Sequence, residues 1–120
     1  GRRAGHVDEN GAGARLVWQL GKSTTVEQGQ TAALNIAVEQ MGTLQQAWGG
    51  DLNRVNRIVM LMSLVNSAPD FTEHHLVTNG ASTLLGEVFG DAGKHARSAF
   101  GVAQIPLGAC AEIEMIVEIA

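Results

Sequence analysis

The sequence predicts an α+β fold in which a mixed β-sheet carries two helices packed on one face. Two stretches whose apolar residues recur every three or four positions, as on the buried face of a helix, begin near Thr24 and Thr72. Apolar and β-branched runs that are typical of strands lie around them, at residues 15–20, 55–65, 97–103 and 109–119. Because a helix occupies each crossover between strands, a single helical layer on one side of the sheet is the simplest arrangement.

The composition is that of one globular domain. The chain has 120 residues, of which 45% are hydrophobic and 17% charged, so it is long enough for one core and too short for two. We therefore expect residues 1–120 to form a single domain. The net charge of -4 disfavours a nucleic-acid partner, because an acidic surface repels phosphates.

Cysteine use and hydropathy indicate a cytoplasmic protein without a membrane partner. Cys110 is the only cysteine, which excludes an intrachain disulfide and a cysteine-based metal cluster and fits a reducing compartment. The longest apolar stretch, residues 58–65, is far shorter than a bilayer span. Residues 1–3 lead into polar, glycine-rich sequence rather than into the apolar segment of a signal peptide.

The first half of the chain predicts a loop, a short strand and a long helix. Residues 1–14 are polar and glycine-rich without alternation, which indicates a flexible loop, and residues 15–20 form a β-prone run. Thr24 and Glu27 have the spacing of a capping box, in which each side chain bonds the backbone amide of the other at the start of a helix. The glycine pair at 49–50 would end that helix. Its predicted buried face comprises Ala33, Leu34, Ala37, Val38, Met41, Leu44 and Trp48.

The second half predicts a central strand, a second helix and two further strands. Residues 55–65 are apolar on both faces, as in a strand that is covered on both sides, and Pro69 interrupts the segment that follows. The second helix would end at Gly90 and bury Val77, Ala81, Leu84, Leu85 and Val88. In the last strand the side chains alternate, so that Ile113, Met115 and Val117 share one face and Glu112, Glu114 and Glu118 share the other.

Arg97 and Glu112 are the residues best suited to chemistry on a small organic acid. Arg97 begins a strand within an uncharged run, and its planar guanidinium can bind a carboxylate through two parallel hydrogen bonds. By pattern alone, an arginine that is paired or solvated at a strand end is the more common interpretation. Glu112 shares a face with two other glutamates, and enclosure of such a group gives one member acid or base character. A solvated outer face is the plainer interpretation of that alternation.

The other polar residues predict neither a metal site nor a nucleophile. His74 and His75 are neighbours on the predicted helix and therefore point in different directions, so they do not form a pair of metal ligands. No helix N-terminus or cation lies near Cys110 in the sequence to activate its thiol, so we expect a buried or interface thiol.

Short motifs in the second half of the chain match a known family signature. They are Ala96-Arg97-Ser98, Val102-Ala103, Ile105-Pro106 and Glu112-Ile113-Glu114. With this spacing the sequence resembles the Rid/YjgF family of reactive-intermediate imine deaminases. Residues 65–71, 79–82, 88–90 and 95–98 are similar to a YjgF-like branch called endoribonuclease L-PSP. The resemblance runs from about residue 21 to the C-terminus.

This resemblance implies a chorismate-mutase-like protomer that assembles into a homotrimer with clefts between neighbouring subunits. It implies hydrolysis of small imines or enamines such as 2-aminoacrylate to 2-oxo acids and ammonia, without a metal or an organic cofactor. Arg97 would hold the substrate carboxylate, and Glu112 would position or activate the attacking water. Ser98, Ala99 and Asn79 match positions that line the substrate site.

The chain departs from the family pattern in two places. Ala99 stands where relatives commonly have a cysteine, and a family strand with a Ser-Gly-Gln type sequence is not recognisable before Leu16. We therefore expect that strand to be absent. These departures keep open a non-catalytic trimeric module that binds small carboxylates. An endoribonuclease of the L-PSP type is a further alternative, which the acidic balance disfavours.

Overall fold

The computed structural model of the protein describes residues 3–10, 19–22, 24–47 and 49–120. The helices and strands are β1 (Arg3–Asn10), α1 (Val26–Ala47), β2 (Val55–Asn66), α2 (His74–Phe89), β3 (Ala96–Val102) and β4 (Ala111–Ile119). Short 3-10 turns lie at Leu52–Arg54, Gly90–Gly93 and Pro106–Gly108. From α1 onward, this is the order that the sequence predicts.

The described strands form one mixed sheet in the order β1-β4-β2-β3. β4 is antiparallel to both β1 and β2, whereas β2 and β3 run parallel and are joined through α2. The helices contact each other, α1 lying against β1 and β4 and α2 against β2 and β3. On the helix side, Ile113, Met115 and Val117 of β4 are fully buried. The predicted architecture of two helices on one face of a mixed sheet is therefore confirmed.

Strand β1 differs from the prediction for the N-terminal segment. We expected a flexible loop over residues 1–14 and no strand before Leu16, yet Arg3–Asn10 pairs along β4, from Arg3 opposite Ile119 to Asn10 opposite Glu112. The physical reason is that strand pairing joins backbone N–H and C=O groups, so a polar sequence without alternation can still complete a ladder. The remainder of that predicted loop lies outside the described residues.

The strand predicted over residues 15–20 is described only at its end. Leu20 is fully buried and bridges two other segments of the chain. Its backbone N–H donates to the carbonyl of Asn66 at 2.8 Å, and its carbonyl accepts from the N–H of Ala68 at 2.8 Å. Residues 15–18 of the predicted strand lie outside the described part of the chain.

The capping box of α1 lies one residue later than the sequence predicts. The N–H of Gln28 donates to the Thr25 hydroxyl at 3.2 Å, and the N–H of Thr25 donates to the Gln28 side-chain oxygen at 2.9 Å. Thr24, the predicted cap, is instead buried, and its backbone closes a turn with Gln19 and Gly21. The Thr24 N–H is already bonded to the Gln19 carbonyl and so cannot close a capping box, whereas the N–H and hydroxyl of Thr25 both pair with Gln28.

The buried face of α1 is rotated relative to the prediction. Ala33, Ala37 and Leu44 are buried as expected, but Leu34 is 37% and Val38 51% exposed. The buried face comprises Gly29, Ala32, Ala33, Ile36, Ala37, Gln40 and Leu44. The rotation brings the apolar Ala32 and Ile36 into the core together with Gln40, whose side-chain amide is fully buried and donates to the Ile113 carbonyl of β4 at 2.9 Å. The NH2 group of Gln40 is thus paired inside the core, while its Oε1 is buried without a partner among the described residues. The predicted core position Trp48 lies outside the described residues.

Helix α2 buries Val77, Ala81 and Leu85 as predicted, while Leu84 is half-buried and Val88 is 46% exposed. Thr78 adds a buried polar contact, since its hydroxyl lies 2.9 Å from the Ser63 hydroxyl of β2. This contact fixes α2 over the strand that precedes it.

The two helices approach each other closely at Gly80. A Cβ atom added there would collide with the backbone carbonyl of Gln30 in α1, which cannot move without shifting the helix. The side-chain amide of Gln30 also donates to the Leu76 carbonyl of α2 at 2.9 Å. The missing side chain of Gly80 therefore sets how closely α1 and α2 pack.

We expect Gly80→Ala to destabilise the protein, because the added methyl group separates the helices. The expected loss is about 2 kcal/mol, of the size found for overpacked cores, despite the better helix propensity of alanine. Gly86→Ala is the matched control, since an added Cβ there meets nothing within 4 Å on the same helix. Chemical denaturation of the two variants measures the difference. A Gly80→Ala protein as stable as Gly86→Ala would contradict the described helix crossing.

Candidate functional site

Arg97 lies on β3, at the edge of the described sheet, and faces α2. In the parallel register Arg97 pairs with Leu61 of β2, and paired residues share a face of the sheet. Leu61 is fully buried under the helices, whereas Arg97 at the edge is exposed. The guanidinium is therefore both anchored by a helix and open to solvent.

Three hydrogen bonds hold the Arg97 guanidinium against α2. Its Nη1 donates to the side-chain oxygen of Asn79 at 2.7 Å and to the hydroxyl of Ser82 at 3.2 Å. Its Nη2 donates to the backbone carbonyl of His75 at 3.4 Å. Within the described part of the chain, Nε–H and the second hydrogen of Nη2 have no partner. An arginine side of this kind, with Nε and Nη2 side by side, suits a bidentate carboxylate.

The Ser82 hydroxyl belongs to a chain of hydrogen bonds that the sequence analysis missed. His95 Nδ1 lies 2.6 Å from the Gly93 carbonyl, and His95 Nε2 lies 2.9 Å from Ser82 Oγ. A carbonyl only accepts, so Nδ1 carries the hydrogen, and in that tautomer Nε2 accepts from Ser82. The Ser82 oxygen is then free to accept from Arg97. The residues are 13 apart in the chain, and no local spacing rule joins a helix residue to this turn.

The structure brings Arg97 and Asn79 together but separates Arg97 from Glu112. Glu112 pairs with Leu64, and Ser98 pairs with Met62, so both side chains lie on the sheet face that the helices leave uncovered. Ala99 is half-buried on the same face as Arg97. Of the predicted site residues, one protomer thus groups Arg97, Ala99 and Asn79 on the helix face and Ser98 and Glu112 on the other.

Two cavities flank this region. One, of about 450 Å³, lies in the groove between α1 and α2 and includes Asn79, Gly80 and Leu84 in its wall. The other, of about 400 Å³, lies where the end of β3 meets the start of α2 and includes Ser67 and His74 in its wall. Ser67 Oγ and His74 Nε2 are 3.0 Å apart, a pair that the sequence analysis also missed.

Burial shifts the pKa values of two groups in this part of the fold. It lowers the pKa of the His74 imidazole below its usual value of 6.5, and the neighbouring His75 lowers it further. It also raises the pKa of the Cys110 thiol from 9.0 to about 11. Cys110 is fully buried, in agreement with the packed thiol that the sequence predicts.

No helix in the described ranges is long and apolar enough to cross a bilayer. Nor do three or more His, Cys, Asp or Glu side chains in these ranges converge as a set of metal ligands. The polar groups of the described residues that lie beside a cavity or open to solvent include the Arg97 cluster and the Ser67–His74 pair.

Comparison with known proteins shows the family to which this fold belongs. Residues 11–119 match the family described as YjgF/chorismate mutase-like, putative endoribonuclease. That match spans most of the chain, so the protein belongs to the YjgF/chorismate mutase-like family.

Individual relatives agree with this assignment. The chain is 47% identical to Protein TCP17 of Trypanosoma cruzi over 117 residues, which is 97% of this chain and 72% of that protein. Its structure is similar to that of Atu1372 from Agrobacterium tumefaciens, a protein of unknown function, with a TM-score of 0.85 and 41% identity over 88% of this chain and 67% of that one. It is also similar to a putative endoribonuclease from Shewanella oneidensis MR-1, with a TM-score of 0.84 and 29% identity over 95% and 79% of the two chains.

More distant structures share the fold alone. One is TdcF of E. coli, solved with bound serine, with a TM-score of 0.55 and 18% identity over 96% of this chain and 80% of that one.

We expect Cys110 to resist thiol reagents in the folded protein. The shift of its pKa from 9.0 to about 11 is two units, which leaves about a hundredfold less thiolate at pH 8. Reaction with Ellman's reagent should therefore be slow in buffer and fast in denaturant. Fast labelling of the native protein would show that the thiol is accessible.

Proposed function

We propose that the protein hydrolyses small imines or enamines that carry a carboxylate, such as 2-aminoacrylate, to 2-oxo acids and ammonia. The observation that carries the proposal is the guanidinium of Arg97, which α2 holds at three points while its Nε and Nη2 side stays open. No metal ion or organic cofactor is needed for this reaction.

A fixed guanidinium favours this chemistry for two physical reasons. Its two open donors match the two oxygens of a carboxylate, so the substrate is bound in one orientation. Because Asn79 and Ser82 have already immobilised the arginine, less conformational entropy is lost when the substrate binds. Ala99, two residues along the same strand face, adds little bulk beside the bound acid, and Ser98 would contribute only through its backbone.

A water-activating group must also reach the substrate, and Glu112 is the candidate. Since Glu112 and Arg97 lie on opposite faces of one protomer's sheet, we propose that a neighbouring copy supplies the carboxylate. A homotrimer with head-to-tail contacts would place the Arg97 face of one copy against the Glu112 face of the next, forming equivalent clefts. The carboxylate would then accept a proton from the water that attacks the imine carbon.

A second candidate function is binding of small carboxylates without turnover. It is favoured by the separation of Arg97 and Glu112 in the protomer and by Ala99, which lacks the thiol expected at that position. The family description and the relative from Shewanella oneidensis, both called putative endoribonuclease, suggest a third activity, but the net charge of -4 opposes binding to a phosphate backbone. We place the protein in the cytoplasm, in keeping with its single, buried cysteine.

Arg97→Ala should lower kcat/KM for ammonia release by about a hundredfold, because the loss of charged hydrogen bonds to the substrate costs about 3 kcal/mol. The kcat/KM of Arg97→Lys should lie between those of the wild type and Arg97→Ala. Lysine keeps the positive charge but lacks the planar guanidinium that donates two parallel hydrogen bonds. The assay follows ammonia from imines generated in situ by an amino acid oxidase. Arg57→Ala, which removes an exposed arginine of β2, is the matched control.

Equal rates for the wild type and Arg97→Ala would refute the deaminase proposal. Binding of a small 2-oxo acid that raises Tm in the wild type but not in Arg97→Ala, without turnover, would favour the binding module.

Glu112→Gln tests whether the site is shared between copies. Alone, Glu112→Gln should lower kcat/KM for ammonia release about as much as Arg97→Ala does, because an amide cannot accept the proton of the water. Co-expression of the two variants should restore part of the activity, since mixed assemblies contain clefts with an intact Arg97 and an intact Glu112. Mixed assemblies as inactive as the single variants would mean that Glu112 and Arg97 do not meet across an interface.

A further inference from the structure

The cavity of about 400 Å³ beside β3 contains a serine and a histidine in direct contact. Its wall is formed by the segment after β2, the first turn of α2 and the end of β3, and comprises Ser67, Ala68, Pro69, Phe71, His74, Gly101, Val102 and Ala103. Among these lining residues His74 is the only one with a titratable side chain. The cavity therefore combines apolar walls with one hydroxyl and one imidazole.

The serine and the histidine have the geometry of a nucleophile and its base. Ser67 Oγ lies 3.0 Å from His74 Nε2, within the range in which an imidazole removes the proton of a hydroxyl. The ring of Phe71 packs edge-on against the His74 imidazole, with centroids 5.1 Å apart, and restricts its rotation. The position of Ser67 is set by its backbone, because its N–H donates to the Val102 carbonyl and its carbonyl accepts from the Gln19 side chain.

Because Gly101 has no side chain, the backbone of β3 lies close to the Ser67–His74 pair. A Cβ atom at Gly101 would collide with both Ser67 Oγ and His74 Nε2. Gly101 is exposed at the edge of the described sheet, so the space beside the pair communicates with solvent. The absence of a side chain at Gly101 thus allows Ser67 Oγ and His74 Nε2 to lie directly against the strand, at the wall of the cavity.

We propose that Ser67 and His74 form a second reactive site, at which Ser67 is acylated by small carboxylic esters with a short apolar acyl group. Nothing in this site uses Arg97 or Glu112, so it is independent of the proposed deaminase. A cavity of about 400 Å³ accepts a small molecule, and Phe71, Pro69 and Val102 offer apolar contact to the acyl chain.

The reaction proceeds in two balanced steps. Ser67 Oγ attacks the ester carbonyl while His74 Nε2 takes the hydroxyl proton, and the bond to the alcohol breaks as His74 returns that proton to the leaving oxygen. Water then attacks the acyl-serine with His74 as base, releasing the carboxylic acid and regenerating Ser67. Burial and the nearby His75 lower the pKa of His74, so the imidazole is the free base at neutral pH.

The second Ser–His pair of this chain provides an internal comparison. Ser82 and His95 are 2.9 Å apart, but Ser82 also accepts a hydrogen bond from the Arg97 guanidinium. A cation bonded to the oxygen reduces its nucleophilicity, and neither residue lines the cavity of the Ser67–His74 pair. Acylation should therefore select Ser67 over Ser82.

The test uses p-nitrophenyl acetate with the full chain. We expect a burst of p-nitrophenolate and an acetyl group on Ser67, located by mass spectrometry of the peptides. The acylation rate should fall as pH decreases through the His74 pKa, below 6.5, because protonation removes the base. His74→Gln keeps a hydrogen-bond acceptor for Ser67 but not the base, and should slow acylation about a hundredfold.

Two further variants separate a reactive role from a structural one. Gly101→Ala retains both reactive residues, but its Cβ would push Ser67 Oγ and His74 Nε2 apart and should therefore slow acylation. Circular dichroism and Tm of this variant show whether the fold itself is kept. His75→Ala removes an exposed neighbour and should retain labelling, with the pH profile shifted toward 6.5. No acetyl group on Ser67, an acetyl group only on lysines, or labelling of Ser67 that is unchanged in His74→Gln would each overturn the proposal.

Discussion

The parallel pairing of β2 and β3 is the constraint on which both candidate sites depend. Parallel neighbours need a crossover, and α2 supplies it by running back over the two strands that it joins. As a result, the first turn of α2 lies at the end of β3 near Gly101, and its later turns lie beside Arg97. One helix therefore provides Asn79 and Ser82 to the guanidinium and His74 to the second cavity.

Much of the fold could be predicted because hydrophobic periodicity reports burial directly. The alternation of β4 assigned Ile113 and Met115 to the core, and the spacing of Val77, Ala81 and Leu85 assigned the inner face of α2. The errors arose where backbone or polar contacts decide the structure. Arg3–Asn10 pairs through its backbone and shows no side-chain pattern, and Gln40 is buried because a β4 carbonyl accepts its amide hydrogen. Hydrophobic periodicity predicts neither the backbone pairing of a polar strand nor the burial of a hydrogen-bonded amide.

The candidate site was predictable only in part, for a similar reason. Arg97 stood out as a charge in an apolar strand, and the family resemblance added Asn79, which the structure places 2.7 Å from it. The crossover, rather than local spacing, brings together the pairs Ser82–His95 and Ser67–His74. No sequence motif therefore predicts them. The same register that joins Arg97 to α2 sets Glu112 on the other face of the sheet, a separation that follows from β-strand alternation once the pairing is known.

The buried amide of Gln40 has a consequence for the uniqueness of the native state. Its hydrogen bond to the Ile113 carbonyl forms only when α1 sits at one height along β4. A compact arrangement in which the helix slid by one turn would bury the amide without an acceptor, at a cost of about 1–3 kcal/mol. This single polar group thus discriminates against misaligned packing of α1, even if it adds little to the net free energy of folding.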